Sequence, residues 1–149
     1  MSGTFVSKSV VRFNHTDPAS YVFFPRYFEM IQAAVEDWFT LGMGINYADL
    51  VNHDRLGLPT ARTECEFARP SRLGETVELA LYVTRIGNSS LEVLFDGSVG
   101  GEHRLRARSV LVFISLEDGR PRPIPPSMRI QLEAYRARQG AVPGAKADT

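Results

Sequence analysis

The sequence has little of several features that would direct a protein to particular compartments or partners. It contains a single cysteine, Cys65, so no internal disulfide can form, and this usage is typical of a reducing cytoplasm. No apolar run approaches the roughly 18 residues that a membrane-spanning helix needs. The N-terminal residues lack the charged start and apolar block of a signal peptide. We therefore predict a cytoplasmic protein with no membrane partner.

The chain also has no excess of positive or negative charge and no phosphate-binding loop. Its 17 basic residues balance 17 acidic residues, so no global field attracts nucleic acid or an anionic membrane. Neither a glycine-rich phosphate loop nor the Gly-x-Ser-x-Gly elbow of serine hydrolases occurs. The three histidines and the cysteine show no metal-ligand spacing. We expect no nucleic-acid partner, no metal and no cofactor.

Hydrophobic periodicity predicts a protein of the α+β class. Residues 4–13 are predicted to form a first strand, and an apolar stripe then predicts a long helix over about 25–41. From Pro59 onward the hydrophobic period changes to two, which predicts four further strands. The last of these, about 104–116, contains the apolar run 110–114, which is typical of a strand buried on both faces in the middle of a sheet.

Two shorter helices and a tail complete the predicted organisation. One helix is predicted around 47–52, and a second, near the C-terminus, has an apolar side formed by Ile130, Leu132 and Tyr135. We assign residues 1–138 to a single domain and predict that 139–149, rich in Gly, Ala and Pro, form a disordered tail. One long helix cannot cover both faces of a five-stranded sheet, so we expect the chain to form a homo-oligomer.

The most informative segment is residues 14–27, which places one carboxylate in a short loop between an apolar strand and the long helix. A carboxylate at that point, Asp17, can attack a carbonyl carbon or activate water. Without the residues around it, an Asp-Pro pair is more often a simple turn or helix cap.

Backbone amides at the start of the long helix complete this arrangement. Pro25 fits the first helical position and cannot donate, so we predict that the amides of Phe24, Arg26 and Tyr27 are free at the positive end of the helix dipole. Where such a donor has been removed from an oxyanion hole, the rate fell by ~10²–10³.

Residues 17–27 (DPASYVFFPRY), together with the strand before them and the antiparallel strands after them, resemble the hot-dog-fold acyl-CoA thioesterases. The resemblance is greatest to the 4-hydroxybenzoyl-CoA thioesterase family, and it is weaker at 58–59 and 70–77. It implies a hot-dog fold, with a five-stranded antiparallel sheet wrapped around one long helix, assembled as a dimer or tetramer. It also implies that Asp17 is the catalytic nucleophile or general base, and that the Phe24 amide polarises the thioester carbonyl.

The substrate implied by this resemblance is an aryl- or short- to medium-chain acyl-CoA, with coenzyme A as part of the substrate. The predicted contacts near the reacting carbon are Ser20, Tyr21, Phe23 and Tyr27. The resemblance places nucleotide contacts around a later turn, at Arg85, Asn88 and Ser89. Other cations, such as Arg104, Arg106 and Arg108 on one face of the last strand, are expected to be ordinary solvent-facing arginines.

Three residues depart from the family pattern. Ser20 stands where glycine is common, and its Cβ could narrow the acyl pocket. Phe24 replaces a frequent tyrosine, which removes a hydroxyl and keeps the amide. His15 stands two residues before Asp17, where many relatives have an acid or a small polar group. These departures bear more on the substrate than on the reaction.

Two alternative functions stay open on the sequence. A hot-dog dehydratase or hydratase of enoyl thioesters would use a histidine with an acidic partner, and His15 with Asp17 is the candidate pair. A non-catalytic acyl-CoA-binding protein would need no carboxylate beside the thioester. His53 and His103 are expected to be solvated, and Cys65 is expected to be a small core residue.

Overall fold

The computed structural model describes residues 3–144, and it contains the predicted five-stranded antiparallel sheet wrapped around one long helix. The strands of this sheet, in spatial order, are β1 (Phe5–Val10), β4 (Thr76–Ile86), β5 (Ser90–Val99), β6 (Glu102–Val112) and β3 (Thr60–Phe67). The helices are α1 (Pro25–Asp37), which continues into a π-helical turn (Trp38–Gly42), α2 (Tyr47–Asn52) and α3 (Pro126–Arg138). A 3-10 turn (Phe13–His15) and a two-stranded ladder of β2 (Leu56–Gly57) and β7 (Ile114–Ser115) complete the fold.

The core lies between α1 and the face of the sheet that α1 covers. The predicted alternation places every second residue of β4 and β5 in this core, and the buried residues are Val77, Leu79, Leu81, Val83, Leu91, Val93 and Phe95. From α1 and the turn after it, the buried residues are Tyr27, Met30, Ile31, Ala34, Val35, Trp38 and Phe39. Burial of each large apolar side chain stabilises the fold by about 1.5–3 kcal/mol.

Two members of the predicted apolar stripe do not reach this core. Phe24 is 58% exposed at the N-cap position of α1, and Leu41 is 73% exposed in the π-helical turn. A π-turn contains more residues than an α-turn, so it changes the direction in which later side chains point. The helix therefore contacts the sheet through its middle, and its N-terminus is left accessible.

β3 and β4 follow one another in sequence but lie on different sides of the sheet. Among residues 3–144, β3 pairs only with β6, from Thr60 opposite Leu111 to Phe67 opposite Leu105, and therefore forms an edge of the sheet. The connection 68–75 crosses from this edge to β4, and on its way it runs beside the loop that contains Asp17.

The predicted last strand is divided in two. β6 ends at Val112, and after Phe113 the chain pairs as β7 with β2. β6 does have a strand on each side, as its apolar run predicted. Its Val110 and Val112 are nevertheless only half-buried, because α1 covers one face of the sheet and not the other.

α3 closes the fold against β1 and β4. Leu132 and Tyr135 are fully buried, as predicted, whereas Ile130 is 70% exposed and does not belong to the buried side. β1 begins at Phe5, opposite Leu81, and further along β4 the side chain of Gln139 pairs with both backbone groups of Val83, at 2.8 and 3.0 Å. Residues 145–149 of the predicted tail lie outside the described part of the chain. No helix within 3–144 has the length and apolar character needed to cross a membrane.

Candidate active site

Asp17 lies in a tight turn between β1 and α1, and the backbone of that turn fixes its carboxylate. The amide of Ser20 donates to the Asp17 carbonyl at 3.0 Å, which closes a four-residue turn. Oδ1 of Asp17 accepts hydrogen bonds from the amides of Ala19 and Tyr21, at 2.9 and 3.2 Å. Within the described part of the chain, no group donates to Oδ2. One carboxylate oxygen is therefore held in place, and the other is available to a substrate.

Backbone pairing joins the two ends of this loop. The amide of Asp17 donates to the carbonyl of Tyr21 at 2.8 Å, and the amide of Phe23 donates to the carbonyl of His15 at 2.8 Å. The next residue, Phe24, is the N-cap of α1. The carboxylate and the start of the helix thus belong to one hydrogen-bonded unit.

Ser20 has a left-handed backbone conformation, with φ at +69°. This conformation costs a residue with a Cβ about 1–2 kcal/mol, which glycine avoids. The left-handed backbone at position 20 explains why glycine is common there in the thioesterase family that the sequence resembles. The exposed Ser20 side chain lies on an open depression of about 430 Å³, and the depression is lined by Phe13, Thr16, Asp17, Pro18 and Ser20.

The amide of Phe24 is the free backbone donor at the start of α1. Among residues 3–144 it has no acceptor. The prediction that the Arg26 and Tyr27 amides are also free is wrong, because they donate to the carbonyls of Phe23 and Phe24, at 2.8 and 3.1 Å. Phe24 is already helical, with φ −53° and ψ −35°, so the first turn forms one residue early and uses those two amides.

An apolar cavity of about 410 Å³ opens beside this helix start. Its lining residues are Val22, Phe24, Tyr27, Phe67, Ala68, Arg69 and Pro70. The ring of Phe67 lies 5.2 Å from that of Tyr27 and 6.4 Å from that of Phe24, measured between centroids, and Phe23 is 5.9 Å from Phe24. Phe23, Phe24 and Phe67 are each 45–58% exposed, so the chain presents an aromatic surface here.

The two predicted tyrosines have different surroundings. Tyr27 is buried, and its hydroxyl accepts a hydrogen bond from the Ser71 amide at 3.2 Å, so it attaches the helix start to the 68–75 connection. Tyr21 is half-buried, and its hydroxyl accepts a hydrogen bond from Arg72 at 2.8 Å. The Arg72 guanidinium carbon also lies 5.1 Å from the Tyr21 ring centroid.

His15 does not pair with Asp17. Its Nδ1 accepts a hydrogen bond from the Arg12 amide at 2.8 Å and so closes the 3-10 turn before the loop. The ring therefore serves the local backbone through Nδ1. The acid–base couple that a dehydratase would need is not formed by these two side chains.

The predicted nucleotide contacts lie at the other end of the sheet. Arg85, Asn88 and Ser89 belong to the end of β4 and the turn into β5, whereas the Asp17 loop lies beside the start of β4. Arg85 comes nine positions after Thr76 along the extended strand, or about 30 Å further at about 3.3 Å per residue. Within one chain, the structure does not bring these residues to Asp17.

Three residues near the Asp17 loop or the predicted nucleotide turn had no assigned role in the sequence prediction. Phe67 ends the edge strand β3, is 45% exposed and forms a wall of the aromatic cavity. Arg72 lies in the 68–75 connection, where its guanidinium contacts Tyr21. Arg129 of α3 lies on the predicted nucleotide turn, where it donates to the carbonyls of Gly87 and Asn88 at 2.5 and 3.3 Å. Only the contacts of the fold distinguish these residues from others of their type.

The remaining candidates have structural or solvent-exposed positions. Arg104 is not a solvent-facing arginine as predicted, because it is buried and bonded to Glu75. Cys65 is half-buried, and burial raises the pKa of its thiol to about 11. Within the described residues, no group of three or more His, Cys, Asp or Glu side chains is placed to hold a metal ion. His53 and His103 are exposed, at 76% and 45% of their side chains.

Comparison with known proteins agrees with this fold. The sequence model of the thioesterase-like superfamily matches residues 11–132. No curated protein matches the chain. Among solved structures, a 1,4-dihydroxy-2-naphthoyl-CoA thioesterase from Synechocystis is 21% identical, with a TM-score of 0.77 and coverage of 87% of this chain and 95% of that chain.

Two further solved structures are also similar to this chain. A gentisyl-coenzyme A thioesterase is 22% identical, with a TM-score of 0.79 over 86% of this chain and 99% of that chain. A protein from Staphylococcus aureus in complex with CoA is 16% identical, with a TM-score of 0.86 over 98% of this chain and 92% of that chain. At these identities the likeness shows a shared fold, and it confirms the hot-dog fold predicted from the sequence.

Proposed function

Because this chain belongs to the thioesterase-like superfamily, and is therefore a thioester hydrolase, we propose that it cleaves an aryl- or short- to medium-chain acyl-CoA to a carboxylic acid and free CoA. The observation that carries this proposal is the state of the Asp17 carboxylate. Two amides hold Oδ1, Oδ2 has no partner within the described residues, and the unpaired Phe24 amide begins the adjoining helix. A carboxylate with a free oxygen beside a backbone donor is the arrangement that acyl transfer requires.

Asp17 can act in two ways that this geometry supports equally. As a nucleophile, Oδ2 bonds to the thioester carbon, the carbon–sulfur bond breaks, and the CoA thiolate leaves and takes a proton from water. Water then cleaves the mixed anhydride and restores the carboxylate. As a general base, Asp17 takes a proton from a water molecule that attacks the same carbon. In both cases the Phe24 amide donates to the oxygen on which negative charge develops.

The first experiment measures thiol release from a panel of aryl- and alkyl-CoA thioesters by the parent and by Asp17→Asn. We expect the variant to lose at least ~10³-fold in kcat because it removes the reacting carboxylate. Asp118→Asn is a matched control: Asp118 also accepts one backbone amide in a turn, from Arg120 at 2.9 Å, but lies beyond β7. Full turnover by Asp17→Asn would refute the assignment of Asp17.

A single-turnover reaction in ¹⁸O-labelled water separates the two roles of Asp17. If the carboxylate is the nucleophile, water that attacks its side of the anhydride leaves label in the Asp17 peptide. If it is a general base, label appears in the product acid alone. Water that attacks the acyl side of the anhydride also labels the product acid alone. Label in the Asp17 peptide, found by mass spectrometry of the digested enzyme after one turnover with excess enzyme, is therefore the outcome that assigns the nucleophilic role.

The aromatic cavity supports an aryl group as the preferred acyl part. Phe24, Tyr27 and Phe67 form its walls, and aromatic rings pack edge to face against one another with a gain of about 0.5–1.5 kcal/mol per pair beyond burial. The two named thioesterases of similar fold act on naphthoyl-CoA and gentisyl-CoA compounds. We expect Phe67→Ala to raise KM for a benzoyl-CoA more than for a butyryl-CoA. Equal changes for both esters would exclude an aryl group from this cavity.

We also propose that the working enzyme is a homo-oligomer in which two copies complete each site. β3 is an edge strand with one neighbour, and exposed Phe23, Phe24 and Phe67 lie beside it. An open edge of this kind is a template for pairing with another strand. If β3 pairs antiparallel with β3 of a second copy about a two-fold axis, the partner's sheet runs in the opposite direction. The partner's end with Arg85 then comes to the same side as Asp17, which one chain alone does not achieve.

Mixing two inactive variants tests this shared site. Asp17→Asn lacks the carboxylate, and the double variant Arg85→Met, Arg129→Met lacks cations at the predicted nucleotide turn. If each site takes one end from each copy, a mixed dimer has one intact site, and activity returns when the two variants are refolded together. No recovery in a verified mixed dimer, or a monomer at micromolar concentration by sedimentation velocity, would contradict the proposal.

The two alternative functions have weaker support. A dehydratase needs a histidine at the carboxylate, and His15 is occupied by the Arg12 amide. A non-catalytic binding protein has no use for a carboxylate with one free oxygen. Tight binding of acyl-CoA esters by isothermal titration without thiol release would favour that second alternative.

A further inference from the structure

The segment that lies alongside the Asp17 loop is anchored to the sheet by one buried arginine. Arg104 of β6 is 8% exposed, and its guanidinium forms two bonds with the Glu75 carboxylate, at 2.8 and 3.1 Å. It also donates to the Pro70 carbonyl at 3.0 Å and to Glu102 at 2.9 Å. These bonds fix both ends of the 70–75 segment, because the planar guanidinium presents its donors in a fixed geometry.

Glu75 also closes the turn formed by residues 72–75. Its Oε1 accepts a hydrogen bond from the amide of Arg72 at 2.7 Å, and its own amide donates to the Arg72 carbonyl at 3.0 Å. The carboxylate of Glu75 therefore joins a buried cation on β6 to the backbone of Arg72. The Arg72 backbone is therefore attached to β6 through Glu75 and Arg104.

The anchored segment supports the Asp17 loop through backbone hydrogen bonds. The amide of Val22 donates to the Ser71 carbonyl at 2.9 Å, and the amide of Leu73 donates to the Ser20 carbonyl at 3.0 Å. Ser71 is fully buried. The far side of the loop, residues 20–22, is thus attached to the segment at both ends.

The remaining contact between these two segments is made by a side chain. Arg72 donates from Nη2 to the Tyr21 hydroxyl at 2.8 Å and places its guanidinium carbon 5.1 Å from the ring centroid. A cation over an aromatic face gains about 0.5–1 kcal/mol at exposed sites. The Tyr21 amide donates to Oδ1 of Asp17, and its carbonyl accepts the Asp17 amide. Arg72 thus holds the residue that bonds Asp17 through both backbone groups.

We propose that Arg72 is a positioning residue for the reaction: it fixes Tyr21, and Tyr21 fixes the orientation of the Asp17 carboxylate. This inference rests on the proposed catalytic role of Asp17. Arg72 has the charge to bind a CoA phosphate, but its guanidinium is engaged by Tyr21. Its effect is therefore on the rate of the chemical step and not on the affinity for CoA.

The test measures kcat and KM separately for Arg72→Met. We expect kcat to fall roughly 10- to 100-fold, since small displacements of a reacting group have effects of that size, and KM to stay within about twofold. The matched control is Arg55→Met, which removes an exposed arginine and its ion pair with Glu117 near β7 and leaves both constants unchanged. A rise in KM at constant kcat would show that Arg72 binds substrate, and it would overturn the proposal.

A double-mutant cycle with Tyr21→Phe identifies the partner. This change removes the hydroxyl and keeps the ring and the backbone amide. Because Arg72 and Tyr21 act as one unit, the loss in kcat from both changes together is smaller than the product of the single losses. Independent, multiplicative losses would overturn the proposal.

Hydrogen exchange of the Tyr21 amide, measured by NMR, provides a readout that does not need activity. In Arg72→Met we expect faster exchange of the Tyr21 and Ala19 amides, which bond Asp17, with no change in Arg55→Met. Unchanged exchange would overturn the proposal even if kcat fell. A parent enzyme that released no thiol from any ester would refute the proposed function alone, because the exchange measurement would still test how Asp17 is held.

Discussion

Both terminal nitrogens of Arg104 lie against the two carboxylate oxygens of Glu75, at 2.8 and 3.1 Å, and this ion pair joins the start of β4 to the start of β6. The Arg104 side chain is 10% exposed and that of Glu75 is 30% exposed. The hydrogen bond from Arg104, and then that from the Arg72 amide, lower the pKa of Glu75 below its usual range. The same bond raises the pKa of Arg104.

The lowered pKa predicts how the contribution of Glu75 to stability depends on pH. A carboxylate with a lowered folded pKa contributes stability that is fully present above its unfolded pKa, near 4.3, and is lost as pH falls through the folded pKa. We expect Glu75→Gln to lower the free energy of unfolding by about 1–3 kcal/mol at pH 7, because it leaves Arg104 without a full charge partner. Urea titrations at pH 7, 5, 4 and 3 check this.

The difference in the free energy of unfolding between the parent and Glu75→Gln should shrink as the pH falls below the pKa of a free glutamate carboxyl. Glu117→Gln is the control, since the exposed pair of Glu117 with Arg55 contributes only about 0–1 kcal/mol. A difference for Glu75→Gln that stays constant down to pH 3 would contradict the role of its charge.

Ser20→Gly should stabilise the protein. Serine at φ +69° has a strained backbone, and glycine removes that strain, although it also increases the entropy of the unfolded chain. We expect a net gain of about 0.5–1 kcal/mol in the free energy of unfolding, measured by urea titration. Ser20→Ala keeps the Cβ and lacks the hydroxyl, so it should show no such gain. A gain from alanine equal to that from glycine would assign the effect to the hydroxyl.

Tyr135→Phe should destabilise the contact of α3 with the sheet. The fully buried hydroxyl of Tyr135 donates to the Leu81 carbonyl and accepts from the Phe5 amide, each at 2.7 Å. Its removal leaves a backbone donor and an acceptor without a partner, which costs about 1–3 kcal/mol. Thermal unfolding measures the loss. Tyr82→Phe, at a half-buried position, should change the melting temperature less.

Cys65 should react slowly with thiol reagents. Desolvation, and then the nearby charge of Glu66, raise the pKa of its thiol to about 11, so only about 1% is thiolate at pH 9. We expect alkylation by iodoacetamide at pH 9 to be at least tenfold slower in the folded protein than in urea. Equal rates in the two states would show that the thiol is not perturbed by its surroundings.

The sequence by itself determined the features that a few neighbouring residues encode. The Asp-Pro turn at Asp17, the helix start at Pro25 and the alternation in β4 all follow from local backbone chemistry and periodicity. The sequence also predicted that the Phe24 amide is free. Whether the Arg26 and Tyr27 amides donate hydrogen bonds depended on where the first helical turn begins. Turn and cap preferences act over three or four residues, which is why they can be found without the fold.

The tertiary structure alone decided which distant groups meet. Arg104 and Glu75 are 29 residues apart, and Arg72 and Tyr21 are 51 apart, so no periodicity relates them. The strand order places β3 at an edge, which exposes Phe67. The packing of the 70–75 segment against β6 buries Arg104, and the length of β4 separates Arg85 from the carboxylate. Strand neighbours and the burial of a charge are set by the free energy of the whole packed chain, in which many non-local pairings compete. A sequence pattern shows which side chains are suited to a site, and packing determines which of them occupy it.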